Sequence, residues 1–283
     1  MVEEVIDLLA ESTTVLDMTV GAGGHASALL EAGVSHVIGV DRDAEAIRRA
    51  DERLAAYGPR FRSLHRRFSE VEEADVEGPV EGVLFDLGAS SMQLDTAERG
   101  FAYREDGPLD MRMDPRNGTS AADLVNSLPA EALADLIFRF GEERRSRRIA
   151  RAIVSARPVE RTDQLARVVA SAVGRRPGGP HPARRTFQAL RIAVNRELEE
   201  LAASLPRAVG FLTPGGRVVV IAYHSLEDRI VKQTLREDER VTVITRRPLR
   251  PRGHEVERNP RARSARLRAA ERRASGESRP WGE

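Results

Sequence analysis

The feature that most constrains the fold is a regular alternation of short apolar runs and amphipathic helical stretches over about the first ninety residues. Four of the apolar runs predict strands, at residues 14–18, 36–40, 61–65 and 80–85. Strands separated by single helices pair in parallel through right-handed crossovers. The pattern therefore predicts a doubly wound α/β sheet, with ligands expected at the carboxyl edge of its strands.

A long helical stretch interrupts this alternation. The next clear strand, residues 217–222, begins about 130 residues after the fourth strand ends, whereas a crossover needs only about a dozen. Apolar residues in the interval recur at helical spacing, which predicts an all-helical domain inserted between two strands. A last strand candidate covers residues 241–245. The predicted parts are a first core segment at 1–104, the insertion at 105–195, a second core segment at 196–245 and a basic C-terminal segment at 246–283.

Composition excludes several classes of site. The chain has no cysteine, so it has no disulfide, no thiolate metal site, no iron–sulfur cluster and no thiol nucleophile. His25, His181 and His224 lack metal-ligand spacing, so no metal is expected. No apolar run approaches the ~18 residues that span a bilayer, and the acidic N-terminus lacks the basic region of a signal peptide. We expect a soluble, cytoplasmic protein.

The near-neutral net charge of +1 averages two unlike pieces. Residues 246–283 contain twelve Arg and five Glu, a net of +7, which leaves −6 for residues 1–245. An arginine run is often a solvated face, but this asymmetry favours contact with nucleic-acid phosphates. Nine arginines define this predicted phosphate-contacting surface: Arg246, Arg247, Arg250, Arg252, Arg258, Arg261, Arg263, Arg266 and Arg268.

A glycine loop follows the first predicted strand. Gly21 and Gly23, with Asp41 twenty residues after Gly21, satisfy a loose nucleotide-cofactor fingerprint that fits NAD, FAD and S-adenosylmethionine about equally. Asp17, just before the loop, would repel a pyrophosphate and suits a cofactor with an ammonium and a sulfonium group, unless it merely caps the turn. Asp86 ends the fourth strand and adds a third carboxylate at the same edge. These acids favour the cationic cofactor.

Longer strings occur along most of the chain. They are Asp17 to His25, Asp41 to Asp43, Asp86 to Asp95, Arg99 to Phe101, Asp106 to Asp114, Gly141 to Arg144, His181 to Arg191, His224 to Arg229 and Asn259 to Ser264. Together these strings resemble the bacterial 16S rRNA (cytosine-N4)-methyltransferase family. The resemblance runs from the first glycine loop to about Arg273.

The resemblance implies a Rossmann-like S-adenosylmethionine-dependent methyltransferase core with an inserted all-helical domain. It implies methyl transfer to N4 of a cytidine in the decoding region of 16S rRNA, with the small ribosomal subunit as partner. Matching positions imply cofactor contacts by Gly23, Gly24, His25, Asp41, Phe68, Asp86 and Gln93, to which the residue-level reasoning above adds Asp17 and Gly21.

Methylation of an amine needs acceptors for its protons, because the cytosine amine lone pair is delocalised into the ring. Methylation at cytosine C5 usually needs a thiolate, which this chain lacks. The acceptor candidates are Asp86, Ser90, Ser91 and Asp110, and His224 is a candidate contact to the flipped base or to a phosphate. All of these except Asp86 have a plainer alternative: turn chemistry for the two serines, a loop held by internal ion pairs for Asp110, and a structural role for His224.

The candidate RNA contacts are arginines within the resembling strings: Arg112, Arg185, Arg191, Arg261 and Arg263. The long helical insertion could also supply a homodimer surface.

Two departures from the family pattern stand out. Tyr223 takes a position where the family commonly has Phe. The chain starts at Met1 without the usual His-x-Pro-Val-Leu segment, and activity is expected to suffer if that segment helps to close the substrate site.

Two rival functions remain open on the sequence. One is an NAD-type Rossmann oxidoreductase that uses the same glycine loop, which would bind NAD and not S-adenosylhomocysteine. The other is a non-catalytic RNA-binding ribosome-assembly protein, which would bind RNA without transferring a methyl group.

Overall fold

The computed structural model describes residues 1–116, 118–174 and 178–274. These residues fall into two compact units. The first comprises residues 1–88 together with the chain from Leu198 onward, and the second comprises residues 89–197. Within the described residues, no helix is both long and apolar enough to cross a membrane.

The first unit is built on one seven-stranded sheet. Its strand order is β3-β2-β1-β4-β5-β7-β6, parallel from β3 to β5, with β7 antiparallel to both β5 and β6. The strands are β1 Thr14–Asp17, β2 His36–Asp41, β3 Phe61–His65, β4 Val80–Asp86, β5 Leu212–Ala222, β6 Val241–Val243 and β7 Arg266–Arg272. The four N-terminal strands and their parallel pairing confirm the prediction of a doubly wound α/β sheet.

Helices lie before, between and after these strands. In chain order they are α1 Val2–Leu9, α2 Gly24–Glu31, α3 Ala44–Leu54, α4 Ser91–Asp95, α5 Ala121–Ser127, α6 Ala130–Gly141, α7 Ser146–Ser155, α8 Thr162–Val173, α9 Arg184–Asn195, α10 Glu197–Phe211, α11 Ser225–Glu237 and α12 Gly253–Arg258. The interval between β4 and β5 contains α4 to α10 and no strand among its described residues.

The central strands are apolar on both faces, because each face of the sheet packs against its own cluster. Along β4, Phe85 belongs to one cluster and Leu84 to the other, and both side chains are fully buried. Successive side chains of a strand point to opposite faces, so a strand covered on both sides is apolar throughout. This is why β4 and β5 read as continuous apolar runs in the sequence.

The second unit has its own helical core. The periodic residues that predicted helices are buried together, including Leu133, Ile137, Ile149, Leu165 and Leu190. The segment before α5 contributes to the same core through three alternating side chains: Leu109, Met111 and Met113.

The predicted start of the insertion at residue 105 is therefore too late, since the unit begins at Ala89. Its predicted end at 195 lies two residues before Glu197, where the unit ends. The reason for the early start is that Phe101 packs into the helical core, although no helical periodicity precedes it in the sequence.

The basic C-terminal segment differs most from its prediction. Residues 266–272 form β7, with Leu267 and Ala269 buried in the sheet core. Arg266 and Arg268 were expected to face phosphates, but both bind the carboxylate of Asp228 on α11, and Arg268 is only 8% exposed. Hence residues 266–272 belong to the sheet of the first unit and not to a separate basic segment. The last nine residues of the chain, 275–283, lie outside the described residues.

Candidate cofactor and catalytic site

Three carboxylates end neighbouring strands at one edge of the sheet. Asp17, Asp41 and Asp86 are the last residues of β1, β2 and β4. The strand order reverses between β1 and β4, because β2 and β3 extend from one side and β5 from the other. Open α/β sheets bind ligands at such a switch point, outside the carboxyl ends of the strands.

The glycine loop between β1 and α2 needs glycine at two positions. Gly21 and Gly23 adopt positive φ angles of 53° and 78°, which other residues rarely adopt. A Cβ on Gly23 would also lie 3.0 Å from Cδ1 of Leu54. Gly23 is the N-cap of α2, and among the described residues no side chain caps this helix end. Backbone N–H groups of Gly24 and His25 are therefore available to a ligand.

Asp41 joins the glycine loop to the end of β2. Its Oδ2 accepts a hydrogen bond from the Gly21 N–H at 3.0 Å, and its Oδ1 accepts one from the Asp43 N–H at 2.9 Å. Burial raises the pKa of Asp41 to about 6, although both N–H groups oppose that rise. The carboxylate is therefore fixed in orientation, as expected of a group that receives ribose hydroxyls.

Asp17 is a buried carboxyl group with one short-range partner. Its side chain is 1% exposed, and its Oδ1 accepts a hydrogen bond from the Thr19 N–H at 3.1 Å. Burial raises the pKa of Asp17 to about 7, while the charge of His25 opposes the rise. Asp17 does cap the turn, as the plainer alternative held. However, one hydrogen bond does not account for burying a carboxylate, whose charge needs a cationic partner.

Asp86 is held from three sides. The Tyr223 hydroxyl donates to its Oδ1 at 2.9 Å, and Nε2 of His25 lies 3.4 Å from its Oδ2. Its backbone N–H donates to Oγ1 of Thr19 at 2.6 Å, which ties the end of β4 to the glycine loop. Burial and the nearby charge of Asp86 raise the pKa of Tyr223, so its hydroxyl keeps its proton and remains a donor.

His25 interacts with two of the carboxylates, those of Asp86 and Asp17. Burial, the largest influence, disfavours its charged form, but the hydrogen bond and charge of Asp86 and the charge of Asp17 outweigh it and raise the pKa of His25. Its Nδ1 is buried and has no hydrogen-bond partner among the described residues. A buried donor or acceptor without a partner is costly, so this nitrogen is positioned to meet a ligand or solvent atom.

His224 begins α11 after the end of β5. Its Nδ1 accepts a hydrogen bond from the Glu227 N–H at 3.3 Å, and Oε2 of Glu227 accepts from the N–H groups of Tyr223 and His224. Nε2 of His224 lies 3.1 Å from Oε1 of Glu227 without the alignment of a hydrogen bond. These contacts give His224 a structural role as the N-cap of α11. Its catalytic role stays a prediction.

Phe68 follows β3 at the same sheet edge. Its ring meets that of Phe85, the residue before Asp86, edge to face at a centroid distance of 5.6 Å. Phe68 is only partly buried, so part of its ring is open to a ligand. Its predicted cofactor contact is consistent with this placement but stays a prediction.

The second unit holds the other candidate acceptors in local hydrogen bonds. Ser90 is the N-cap of α4: its Oγ accepts from the Gln93 N–H, and Oε1 of Gln93 accepts from the Ser90 N–H. Ser91 is exposed at the first position of the helix. These bonds match the turn-chemistry alternative, and the predicted roles of Ser90, Ser91 and Gln93 are neither supported nor contradicted by them.

Asp110 forms a two-pronged ion pair with Arg112. Its Oδ1 lies 2.8 Å from Nε and its Oδ2 lies 2.7 Å from a terminal nitrogen of Arg112. Burial opposes the change, but these hydrogen bonds prevail and lower the pKa of Asp110. A carboxylate of low pKa is a weak base, so the internal ion pair that was the alternative reading is the better description of this loop.

The remaining predicted RNA contacts differ in exposure. Arg191 binds both oxygens of Glu197 at 2.9 Å, which leaves it little capacity for a phosphate. Arg185 is exposed and donates to the backbone oxygen of Glu142. Arg261 and Arg263 are exposed in a short 3₁₀ segment before β7. Exposure favours the last three as RNA contacts over Arg191.

Sequence reasoning missed two residues of the site. Thr19 occurs in the first string of the resemblance, but its hydroxyl receives a hydrogen bond from a residue 67 positions away. Tyr223 was noted only as a departure from the family pattern, although its hydroxyl contacts Asp86. The one available signal for Tyr223 was its position directly after a strand that ends at the predicted ligand edge.

The whole edge suits a nucleoside ligand with positive charge. The uncapped helix end and glycine loop admit close backbone approach, and Asp41 is held as an acceptor for hydroxyl groups. Asp17 and Asp86 supply negative charge, and Nδ1 of His25 lacks a partner among the described residues. These features fit S-adenosylmethionine better than a dinucleotide, whose pyrophosphate would meet the Asp17 carboxylate.

Two relatives found by sequence comparison are named as methyltransferases. A protein from Synechococcus elongatus named ribosomal RNA small subunit methyltransferase H is 54% identical over 260 residues, covering 91% of this chain and 87% of the relative. A relative of the same name from Gloeobacter violaceus is 51% identical over 263 residues, covering 93% and 83%. An rRNA methylase structure from Streptococcus thermophilus aligns over 96% of this chain and 94% of its own, with 11% identity and a TM-score of 0.47.

The family model for the MraW methylase family matches residues 1–273, which is nearly the whole chain. The match includes the glycine loop, the three strand-end carboxylates, the helical unit and β7. The chain therefore belongs to the MraW methylase family.

Proposed function

We propose that this chain transfers a methyl group from S-adenosylmethionine to the exocyclic N4 of a cytidine in the decoding region of 16S rRNA. The chain belongs to the MraW methylase family, and its relatives are named ribosomal RNA small subunit methyltransferase H. It is therefore an S-adenosylmethionine-dependent rRNA methyltransferase. The observation that supports the cofactor is the sheet edge where Asp17, Asp41 and Asp86 end three strands beside a glycine loop.

The cofactor would be held by residues of the first unit. The N–H groups of Gly24 and His25 and the carboxylate of Asp41 are placed to bind it, and Asp17 offers negative charge to its ammonium group. When bound, S-adenosylmethionine supplies an electrophilic methyl group on a sulfonium sulfur. Asp17 is almost fully buried, and the low local dielectric strengthens its interaction with a cation.

Asp86 is our proposed acceptor for the amine proton. Tyr223 fixes one carboxylate oxygen and His25 stands near the other, so the carboxylate holds one orientation. An oriented acceptor lets the amine lone pair localise on nitrogen while the proton moves to a carboxylate oxygen. Ser90, Ser91 and Asp110 remain further proposals as acceptors, and His224 remains a proposed contact to the flipped base or to a phosphate. The chemistry requires no cysteine, and the chain has none.

The substrate partner is the RNA of the small ribosomal subunit, and we place the activity in the cytoplasm for that reason. We propose the helical unit, residues 89–197, as the substrate-recognition domain. A homodimer through this unit is a separate proposal. It predicts twice the monomer mass of 31.2 kDa in light scattering after size-exclusion chromatography.

The direct test is mass mapping of 16S rRNA after incubation with the protein and S-adenosylmethionine. Free 16S rRNA and complete small subunits, both from cells lacking this modification, serve as substrates. We expect one added methyl group on a decoding-region cytidine, located at N4 by fragmentation, and none with Asp86→Asn. Methylation at C5 or on another base would refute the assignment.

The two rival functions predict different results in companion experiments. An oxidoreductase would bind NAD tightly and show no affinity for S-adenosylhomocysteine in a spectroscopic titration. A non-catalytic assembly protein would retain RNA affinity but transfer no tritium from labelled S-adenosylmethionine to the subunit. Either result would replace our proposal.

A further inference from the structure

Helix α7 of the helical unit carries an exposed arginine stripe. Three of its residues, Arg147, Arg148 and Arg151, are exposed, and Arg144 is exposed just before the helix. The opposite face is buried in the unit core through Ser146, Ile149, Ala150 and Ile153. At 3.6 residues per turn, the three helical arginines fall within an arc of about 100°. We call Arg144, Arg147, Arg148 and Arg151 the α7 arginine stripe.

The stripe has no ionic partner among the residues that the structure describes. Neither an ion pair nor a side-chain hydrogen bond joins any of the four arginines to another described residue, and α7 itself contains no acidic residue. The nearest acidic residue in sequence, Glu143, instead lies 3.6 Å from Arg185 and accepts a hydrogen bond from the Arg145 N–H. Other exposed arginines do find partners, as Arg167 does with Asp163 on the next helix, α8.

The stripe does not serve the stability of the helix. Arg147 and Arg148 occupy the first turn, where the helix dipole disfavours positive charge. Arg147 and Arg151 are four residues apart, a spacing at which like charges repel. By contrast, Arg145 donates to the backbone oxygen of Val173 at the C-terminal end of α8, where a cation is favoured. A row of positive charges that destabilises the helix carrying it indicates an external anionic partner.

We propose that the α7 arginine stripe binds the phosphodiester backbone of the RNA substrate. This proposal rests on the proposed function and deepens it. Guanidinium groups bind phosphate oxygens with two parallel hydrogen bonds, and arginines spread along two turns of a helix can meet successive phosphates. Phosphate contacts position a protein on RNA without reading its sequence. The helical unit as a whole has 19 arginines and 14 acidic residues, a net of +5, which agrees with a polyanionic partner.

The test measures how RNA affinity depends on salt. Filter binding to a 16S rRNA fragment that contains the decoding region is followed over a series of KCl concentrations. We compare the wild-type chain with a triple variant carrying Arg147→Gln, Arg148→Gln and Arg151→Gln. Loss of three phosphate contacts should lower the slope of log K against log salt by about 2–3. At about 0.1 M salt this corresponds to binding weaker by a hundredfold or more.

A matched control separates local contacts from total charge. The triple variant Arg48→Gln, Arg49→Gln and Arg167→Gln also removes three exposed arginines, but all three are paired with acids on their own helices. Both variants change the net charge from +1 to −2. We expect the control to keep nearly the wild-type slope, and a stripe variant with lysines in place of the glutamines to recover it.

The outcomes are distinct. Equal slopes for the stripe variant and wild type, or equal losses for stripe and control variants, overturn the proposal. Binding of S-adenosylhomocysteine should be unchanged in the stripe variant, which also verifies that it is folded. If the wild-type chain methylates the cytidine but the stripe variant keeps the full slope, only this inference fails. If the wild-type chain neither binds the RNA nor methylates it, the proposed function fails as well.

Discussion

The buried carboxyl group of Asp17 makes cofactor binding depend on pH. Burial raises its pKa to about 7 in the cofactor-free protein, with His25, Asp86 and Asp41 as the charged groups around it. A cationic cofactor needs the ionised form. A group of pKa 7 is about 90% ionised at pH 8 and about 10% at pH 6. The dissociation constant of S-adenosylmethionine should therefore rise about tenfold from pH 8 to pH 6.

Ionisation of the buried Asp17 carboxyl group should also lower the free energy of unfolding. Its pKa in the folded chain exceeds the ordinary value of 3.8, so the folded state holds the proton more tightly than the unfolded state. Stability of the cofactor-free protein is thus lost as pH rises from about 4 through 7. The difference between a pKa of 3.8 and a pKa of about 7, at about 1.4 kcal/mol per pH unit, gives a loss of about 4 kcal/mol. Asp17→Asn should stabilise the cofactor-free protein at pH 8 by up to this amount and weaken cofactor binding.

Isothermal titration and chemical denaturation measure both effects. Titrations at pH 6 in buffers of different ionisation enthalpy should show release of about 0.9 proton per cofactor bound, and Asp17→Asn should abolish most of it. Glu45→Gln is the control, because Glu45 is an exposed carboxylate whose hydrogen bonds to Arg48 and Arg49 lower its pKa to about 2. Equal cofactor affinity at pH 6 and pH 8, or an Asp17→Asn protein less stable at pH 8, would refute the reasoning.

Three further variants probe the site and the sheet. Asp41→Ala should weaken binding of S-adenosylhomocysteine by about 1–3 kcal/mol, since hydrogen bonds from ribose hydroxyls to a charged group are lost; unchanged calorimetric affinity removes Asp41 from the site. Tyr223→Phe should lower kcat about tenfold with little change in unfolding midpoint, because Asp86 loses the donor that orients it; an unaltered kcat shows that the hydroxyl is dispensable. Asp228→Ala should destabilise the protein by about 3–5 kcal/mol in urea denaturation, because Arg268 would stay buried without its carboxylate; a loss below about 1 kcal/mol contradicts this.

The N-terminal half of the sheet was predictable because local pattern and tertiary position agree there. Buried parallel strands read as apolar runs, and the acids that end them meet at one edge whatever the packing details. The same reasoning failed for β7. Arginines alternate there with Leu267 and Ala269, and the segment looks like a solvated basic run until Asp228 is seen to bind two of those arginines.

Pairing within the site was not predictable from spacing. The Tyr223–Asp86 hydrogen bond joins residues 137 positions apart, and only the register of β4 with β5 brings them together. The ion pair of Arg191 with Glu197 depends on the left-handed conformation of Arg196 between two helices. Such contacts follow from backbone geometry at single residues, which composition and periodicity do not encode.

The position of β7 has a consequence for biosynthesis. It lies between β5 and β6, so among the described strands β6 has no partner except β7. All other strands of the sheet leave the ribosome earlier, yet β5 keeps an unpaired edge until residues 266–272 emerge. An unpaired strand edge is a site of aggregation. A nascent chain arrested before residue 266 would consequently have its glycine loop and all three strand-end carboxylates on a sheet with an open edge. Synthesis of residues 266–272 is therefore the step that protects this enzyme from aggregation at that edge.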